Sequence, residues 1–186
     1  MSFSASQSLA IDQFNKEVIL SQIQDVSDLY YYAKQTGSNA VDTSDYQALC
    51  KATMCDLFLF NRKRAGEIQR FKKEEFAKIK KGSDISQEIA NSMTKLENHL
   101  AKSLSRIEVR GKFDRKVAIL MTNNVMKKIT VILGLLKRKG RASQSKYVFA
   151  TPDGERPYRT CDVVRQFSLD AGVKNPAGYL GSVFGT

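Results

Sequence analysis

Cysteine is scarce in this chain, histidine occurs once, proline three times and tryptophan not at all among 186 residues. The three cysteines, Cys50, Cys55 and Cys161, are an odd count. Cys50 and Cys55 stand five apart in a stretch that reads as helix, which matches neither Cys-x-x-Cys nor the common zinc spacings. They read as reduced, partly buried thiols with no metal to hold. A reducing compartment follows, the nucleus or the cytoplasm. Nowhere does an apolar run approach the roughly 18 residues needed to span a bilayer, so no membrane partner is expected. The opening MSFSASQSLAIDQ has neither a basic n-region nor a long apolar h-region, so a secretory signal is not expected. The lone His99, in NHLAKSL, reads as an exposed helix residue. Internal repeats are lacking too.

What the chain does have is positive charge, unevenly spread. Thirty Lys and Arg against nineteen Asp and Glu give a net charge of +11. Residues 1–50 hold two lysines against six carboxylates, a net −4, which leaves +15 for the rest. Such a surplus favours polyanionic partners. The 42% hydrophobic content excludes wholesale disorder and is enough for one domain with a core, or one domain plus a short arm.

Apolar residues at helical spacing from Phe14 to Ala33 predict an amphipathic helix, and with it an N-terminal helical arm over 1–40. TGSNAVDTS reads as a loop, and Ser44 with Gln47 as a helix start. DYQALCKATMCDLFLF follows, apolar nearly all round at its end, so a central buried helix is expected. Beyond Phe60 the character changes to NRKRAGEIQRFKKEEF. Residues 69–80 read as a short strand or loop. Ile85 to Leu104 reads as one helix, with Ile89, Met93, Leu96, Leu100 and Leu104 on one stripe. In SRIEVRGKFDRKVAILMT, Ile107 and Val109 alternate with charged residues, as do Val117, Ile119 and Met121. That pattern predicts a β-hairpin turning around GKFD. Thr122 or Asn123 starts a further helix through Leu136, which ends in the basic tail KRKGR. Tyr147–Phe149 is β-like, TPDGERP turn-rich, and Asp162 to Ala171 a last helix. The fold class expected is α+β, mostly helical, with a small antiparallel sheet near 105–120 packed on helices.

Two features carry chemistry in combination. Arg64-Ala-Gly-Glu67 comes straight after the buried helix. Gly111-Lys112 stands at the hairpin turn, followed by Arg115-Lys116. In these motifs and their order the chain resembles the catalytic domain of the tyrosine recombinases, the phage-integrase type of DNA breaking and rejoining enzyme. LFNRKRAGEIQRF also resembles recombinase-like sequences of animal genomes. The resemblance implies an integrase-like catalytic core over 41–186, duplex DNA as partner, and no metal or organic cofactor. It implies Arg64 as a scissile-phosphate arginine, whose planar donors suit two non-bridging oxygens. It implies Glu67 as the support of the Arg64 loop and Lys112 as proton donor to the leaving oxygen. The guanidinium of residue 64 and the ammonium of residue 112 are expected to converge on one phosphate. Backbone contacts are expected from Arg62, Lys63, Arg110, Arg115, Lys116, Lys137, Arg138, Lys139 and Arg141. Lys127, Lys128 and Lys146 bring the basic count over 127–146 to seven, without an acid.

The departures from the family pattern matter as much. The resemblance covers about residues 45–175 and omits the His-x-x-Arg box and the nucleophilic tyrosine. The residue three after His99 is Lys102, so His99 does not supply the box. Tyr147, Tyr158 and Tyr179 precede the place of a nucleophile. The expectation is an incomplete domain that binds DNA in a recombination or integration setting without cutting it, either as a homo-oligomer or beside a complementing chain. A different class of reading is a basic helical module that binds RNA or an acidic protein. The placing of Phe58, Phe60 and Tyr30 at core-like positions argues against the stacking platforms of RNA readers.

Overall fold

A computed structural model describes residues 17, 21, 43–61, 65–81, 87–111, 115–138 and 144–172. Apart from residues 17 and 21, which are helical, the proposed N-terminal arm lies outside the described residues. The elements run α1 (Thr43–Asn61), α2 (Ala65–Gln69), α3 (Lys73–Phe76), β1 (Lys80–Lys81), α4 (Gln87–Ser92), α5 (Lys95–Ser103), β2 (Leu104–Arg110), β3 (Lys116–Thr122), α6 (Asn123–Arg138) and α7 (Thr160–Asp170). The chain is therefore mostly helical with a small antiparallel sheet. The described residues form two compact units. One holds α1, α2 and α7; the other spans Arg70–Pro157.

In the first unit, α1 is buried over most of its length, as expected from the apolar run at its end. Tyr46, Leu49, Cys50, Met54, Leu57 and Phe58 have no exposed surface. Both α2 and α7 pack on this helix, and on each other. The joint with α7 includes Thr160, whose hydroxyl donates to Met54 Sδ at 3.5 Å. Ser168, buried on α7, donates to the Val164 carbonyl at 2.8 Å, which satisfies its hydroxyl within the helix. Phe60, expected in the core, is instead 46% exposed at the end of α1. It stands two residues beyond Phe58, which in a helix turns it to the opposite side. Tyr30 lies outside the described residues.

The second unit is organised by its sheet, with strand order β1-β2-β3 and both pairs antiparallel. Ile107 faces Ile119 and Arg110 faces Lys116. The period-2 pattern sends Ile107, Val109, Ile119 and Met121 into the core, and Arg106, Glu108 and Arg110 to solvent. Helix α6 packs on β3, with Val125, Ile129, Ile132 and Leu136 buried. Its start is capped by Thr122, whose hydroxyl accepts from the Val125 N–H at 3.3 Å. A second cluster joins Phe71, Phe76 and Phe149, with ring centroids 6.3 Å apart for each Phe71 pair. Backbone bonds from Val148 to Phe71 and from Lys73 to Lys146 hold it in place.

Two sequence expectations need correction here. The single helix from Ile85 to Leu104 is two helices, α4 and α5, and Leu104 opens β2. The break has a local cause. Thr94 accepts from the Glu97 N–H at 3.2 Å, and Glu97 accepts from the Thr94 N–H at 2.7 Å. This reciprocal box starts a new helix inside an apparently continuous stripe. Residues 69–80, read as strand or loop, contain the helical turn α3 before the two-residue β1. Among the described residues, no helix is long and apolar enough to cross a membrane.

The alternation across β3 makes a direct prediction. Ile119→Ala should lower unfolding free energy by about 3 kcal/mol, as expected for a fully buried aliphatic residue. Its neighbour Leu120 is 39% exposed, and Leu120→Ala should cost about 0.5 kcal/mol or less. Urea unfolding of both variants checks this; equal losses would contradict the register.

Candidate nucleic-acid interface

The residues singled out by the sequence fall into three groups. Arg62, Lys63, Arg64, Lys112, Lys139 and Arg141 lie outside the described residues. Lys137 and Arg138 are the last two residues of α6. Glu67, Arg110, Arg115 and Lys116 are described with their side chains.

Glu67 stands in α2, 7% exposed. A carboxylate is seldom buried so far, because losing its hydration is costly unless a cation or donors replace the water. Its position three residues after Arg64 is what the Arg-x-x-Glu motif prescribes.

Arg110 and Lys116 are directly opposed at the turn end of the β2–β3 hairpin. The Gly111 N–H donates to the Arg115 carbonyl at 2.8 Å and closes the turn. Arg110, Arg115 and Lys116 are all exposed. The hairpin expected around residue 112 is therefore present, with three cations at its rim.

The sheet's solvent face carries more charge than the sequence reading assigned to it. Arg106 donates to Glu108 Oε1 at 3.1 Å, and Lys116 Nζ stands 3.6 Å from Glu108 Oε2. Glu75 of α3 accepts from the Lys72 N–H at 2.8 Å and from the Arg110 N–H at 3.4 Å. These groups line a cleft of about 620 Å³ together with Lys78 and Glu74. The alternation Arg106, Glu108, Arg110 was a readable signal, since i, i+2, i+4 share one face of a strand. The contribution of Lys72, Glu75 and Lys78 depends on where α3 docks, and no sequence spacing reports that.

Not every basic residue of 127–146 faces water. Lys127 and Lys146 are exposed, but Lys128 is 1% exposed on the side of α6 that buries Val125 and Ile132. The Lys146 ammonium lies 5.3 Å from the centroid of the Tyr147 ring. His99 is exposed on α5, as expected from its helix position. No cluster of three or more metal-binding side chains occurs among the described residues.

Compared with protein-family models, with curated proteins and with solved structures, the chain matches none.

Three titratable groups of α1, Tyr46, Cys50 and Cys55, are kept out of chemistry by burial. Desolvation pushes the Cys50 thiol up to about 12, against a smaller lowering by its hydrogen bond with Tyr46. Desolvation raises Cys55 and the Tyr46 phenol as well. Cys161 alone of the three thiols is exposed. One thiol per chain should therefore react with a maleimide in the folded protein, and three after unfolding. The raised folded values also fix a pH dependence. Stability should be complete below the ordinary thiol value of 9.0 and be lost as pH rises from there toward about 12. Denaturation midpoints measured from neutral to alkaline pH check the sign.

Proposed function

We propose that this chain binds duplex DNA through its phosphate backbone, as the front part of a tyrosine-recombinase-type catalytic domain. The observation that carries the reading is the β2–β3 hairpin. Its strands pair Arg110 with Lys116 beside the turn, which is flanked by exposed Arg110, Arg115 and Lys116. Lys112 follows Gly111 directly in sequence and lies outside the described residues. Further support comes from the order of elements: a buried helix, then Asn61-Arg62-Lys63-Arg64, then a helix with a buried glutamate.

In this reading Arg64 takes two non-bridging oxygens of a phosphate, and the buried carboxylate of Glu67 holds its loop. The Lys112 ammonium delivers a proton to a leaving 5′-oxygen when a nucleophile is supplied. Lys137, Arg138, Lys139 and Arg141 add sequence-independent backbone contacts at and beyond the end of α6. The 186 residues contain no His-x-x-Arg box. Groups that act as a unit lose most of their rate when members are missing, so these residues bind DNA and do not cleave it. A different chain carrying that box would complete the site on DNA, whether or not this chain self-associates there. The setting is intracellular DNA recombination or integration.

Affinity for a short duplex should fall steeply with salt, with a slope of about −0.9 per phosphate contact on logarithmic axes. The double variant R115A/K116A should flatten that slope by about two contacts. Binding that ignores salt, or that is tighter for single-stranded RNA or an acidic peptide, would reject the proposal. Incubation of the chain with supercoiled plasmid should yield no covalent protein–DNA adduct.

A further inference from the structure

We infer that the solvent face of the sheet holds a second phosphodiester seat, between Arg106 and Lys116, and that Glu108 occupies it when DNA is absent. The inference rests on the DNA-binding reading and extends it away from the hairpin tip. Glu108 is the middle of three same-face residues on β2, and each carboxylate oxygen addresses a different cation. Oε1 accepts from Arg106 at 3.1 Å, and Oε2 stands 3.6 Å from Lys116 Nζ. A phosphodiester presents the same pattern, two anionic oxygens on one centre, to the same two donors. The carboxylate is thus an internal stand-in for a phosphate.

The surrounding groups show why Glu108 is the exchangeable one. Glu75 is tied by two backbone N–H groups, those of Lys72 and Arg110, and belongs to the frame. Glu74 is paired with Lys72 at 3.3 Å. The side chain of Glu108 keeps 39% of its surface exposed, and those of Arg106 and Lys116 keep 58% and 80%. Ion pairs this exposed are weak and are readily exchanged for a better anion. Lys78 lines the same cleft and has no ion pair among the described residues.

Continuity and charge identify the occupant. Arg110 and Lys116 border both the hairpin tip and the cleft, so a DNA strand contacting the tip continues onto the sheet face. Five cations against three carboxylates leave the cleft positive before any carboxylate is displaced. With Glu108 swung aside the surplus grows, which favours a backbone of repeated single charges. The carboxylate therefore tempers non-specific affinity, because any DNA must first compete with it.

The test is Glu108→Gln, with Glu155→Gln as control, an exposed carboxylate outside the cleft that removes the same charge. Affinity for a short fluorescent duplex is measured by anisotropy over a range of salt. E108Q should tighten binding about threefold or more and steepen the salt slope by about one contact, while E155Q changes both far less. Adding Arg106→Ala to E108Q should abolish the gain. Equal effects of E108Q and E155Q would reduce the seat to a net-charge effect and overturn the inference while leaving DNA binding intact. If no form binds duplex, the DNA reading itself has failed. Titration with inorganic pyrophosphate, followed by the Arg106 side-chain resonances, then decides on the seat. A shift in E108Q larger than in the wild type sustains it, and no shift overturns it.

Discussion

The pairing register of β2 and β3 is the constraint on which the second unit depends. Because side chains alternate along a strand, one register sends Ile107, Val109, Ile119 and Met121 to the helices and Arg106, Glu108 and Arg110 to water. A slip by one residue would exchange the two sets, bury three charges and expose the apolar floor. The turn from Gly111 to Arg115 sets the register at one end, and burial of the apolar row enforces it along its length. Arg106, Arg110 and Lys116 are therefore positioned by the same packing that stabilises the sheet.

The first unit solves a different problem. Helix α1 is apolar nearly all round at its end, so it must be covered there on nearly every side. Helices α2 and α7 supply part of that cover. Burial also silences the chemistry of this helix, since Tyr46, Cys50 and Cys55 keep their protons well above neutral pH. Outside α1, the charged side chains on the solvent face of the sheet in the other unit are exposed.

Charge on that face is mixed and locally compensated. Carboxylates stand among the lysines and arginines of the cleft and partly offset their charge. Net charge predicts attraction to a polyanion, but the arrangement of ion pairs decides how strongly any one patch responds. Lys128 makes the same point from the other direction: it counts toward the formal charge and yet lies inside the core.

Much of this was legible in the residues alone. Period-2 alternation marked both long strands and their turn, the apolar run CDLFLF marked α1 as buried, and Thr122 or Asn123 marked the start of α6. Those signals are local, and local steric and hydrogen-bonding preferences act within a few residues. Other features were hidden for a physical reason. The Thr94–Glu97 box overrode a stripe that looked like one helix, because satisfying backbone donors at a helix start outweighs apolar spacing that continues past it. The sequence by itself determined the strands, the buried helix and the sign of the charge. Only tertiary structure decided that Lys72, Glu75 and Lys78 would join Arg106 and Lys116 around one cleft, that Lys128 would turn inward and that Phe60 would turn outward. Each depends on how an element docks against others distant in the chain.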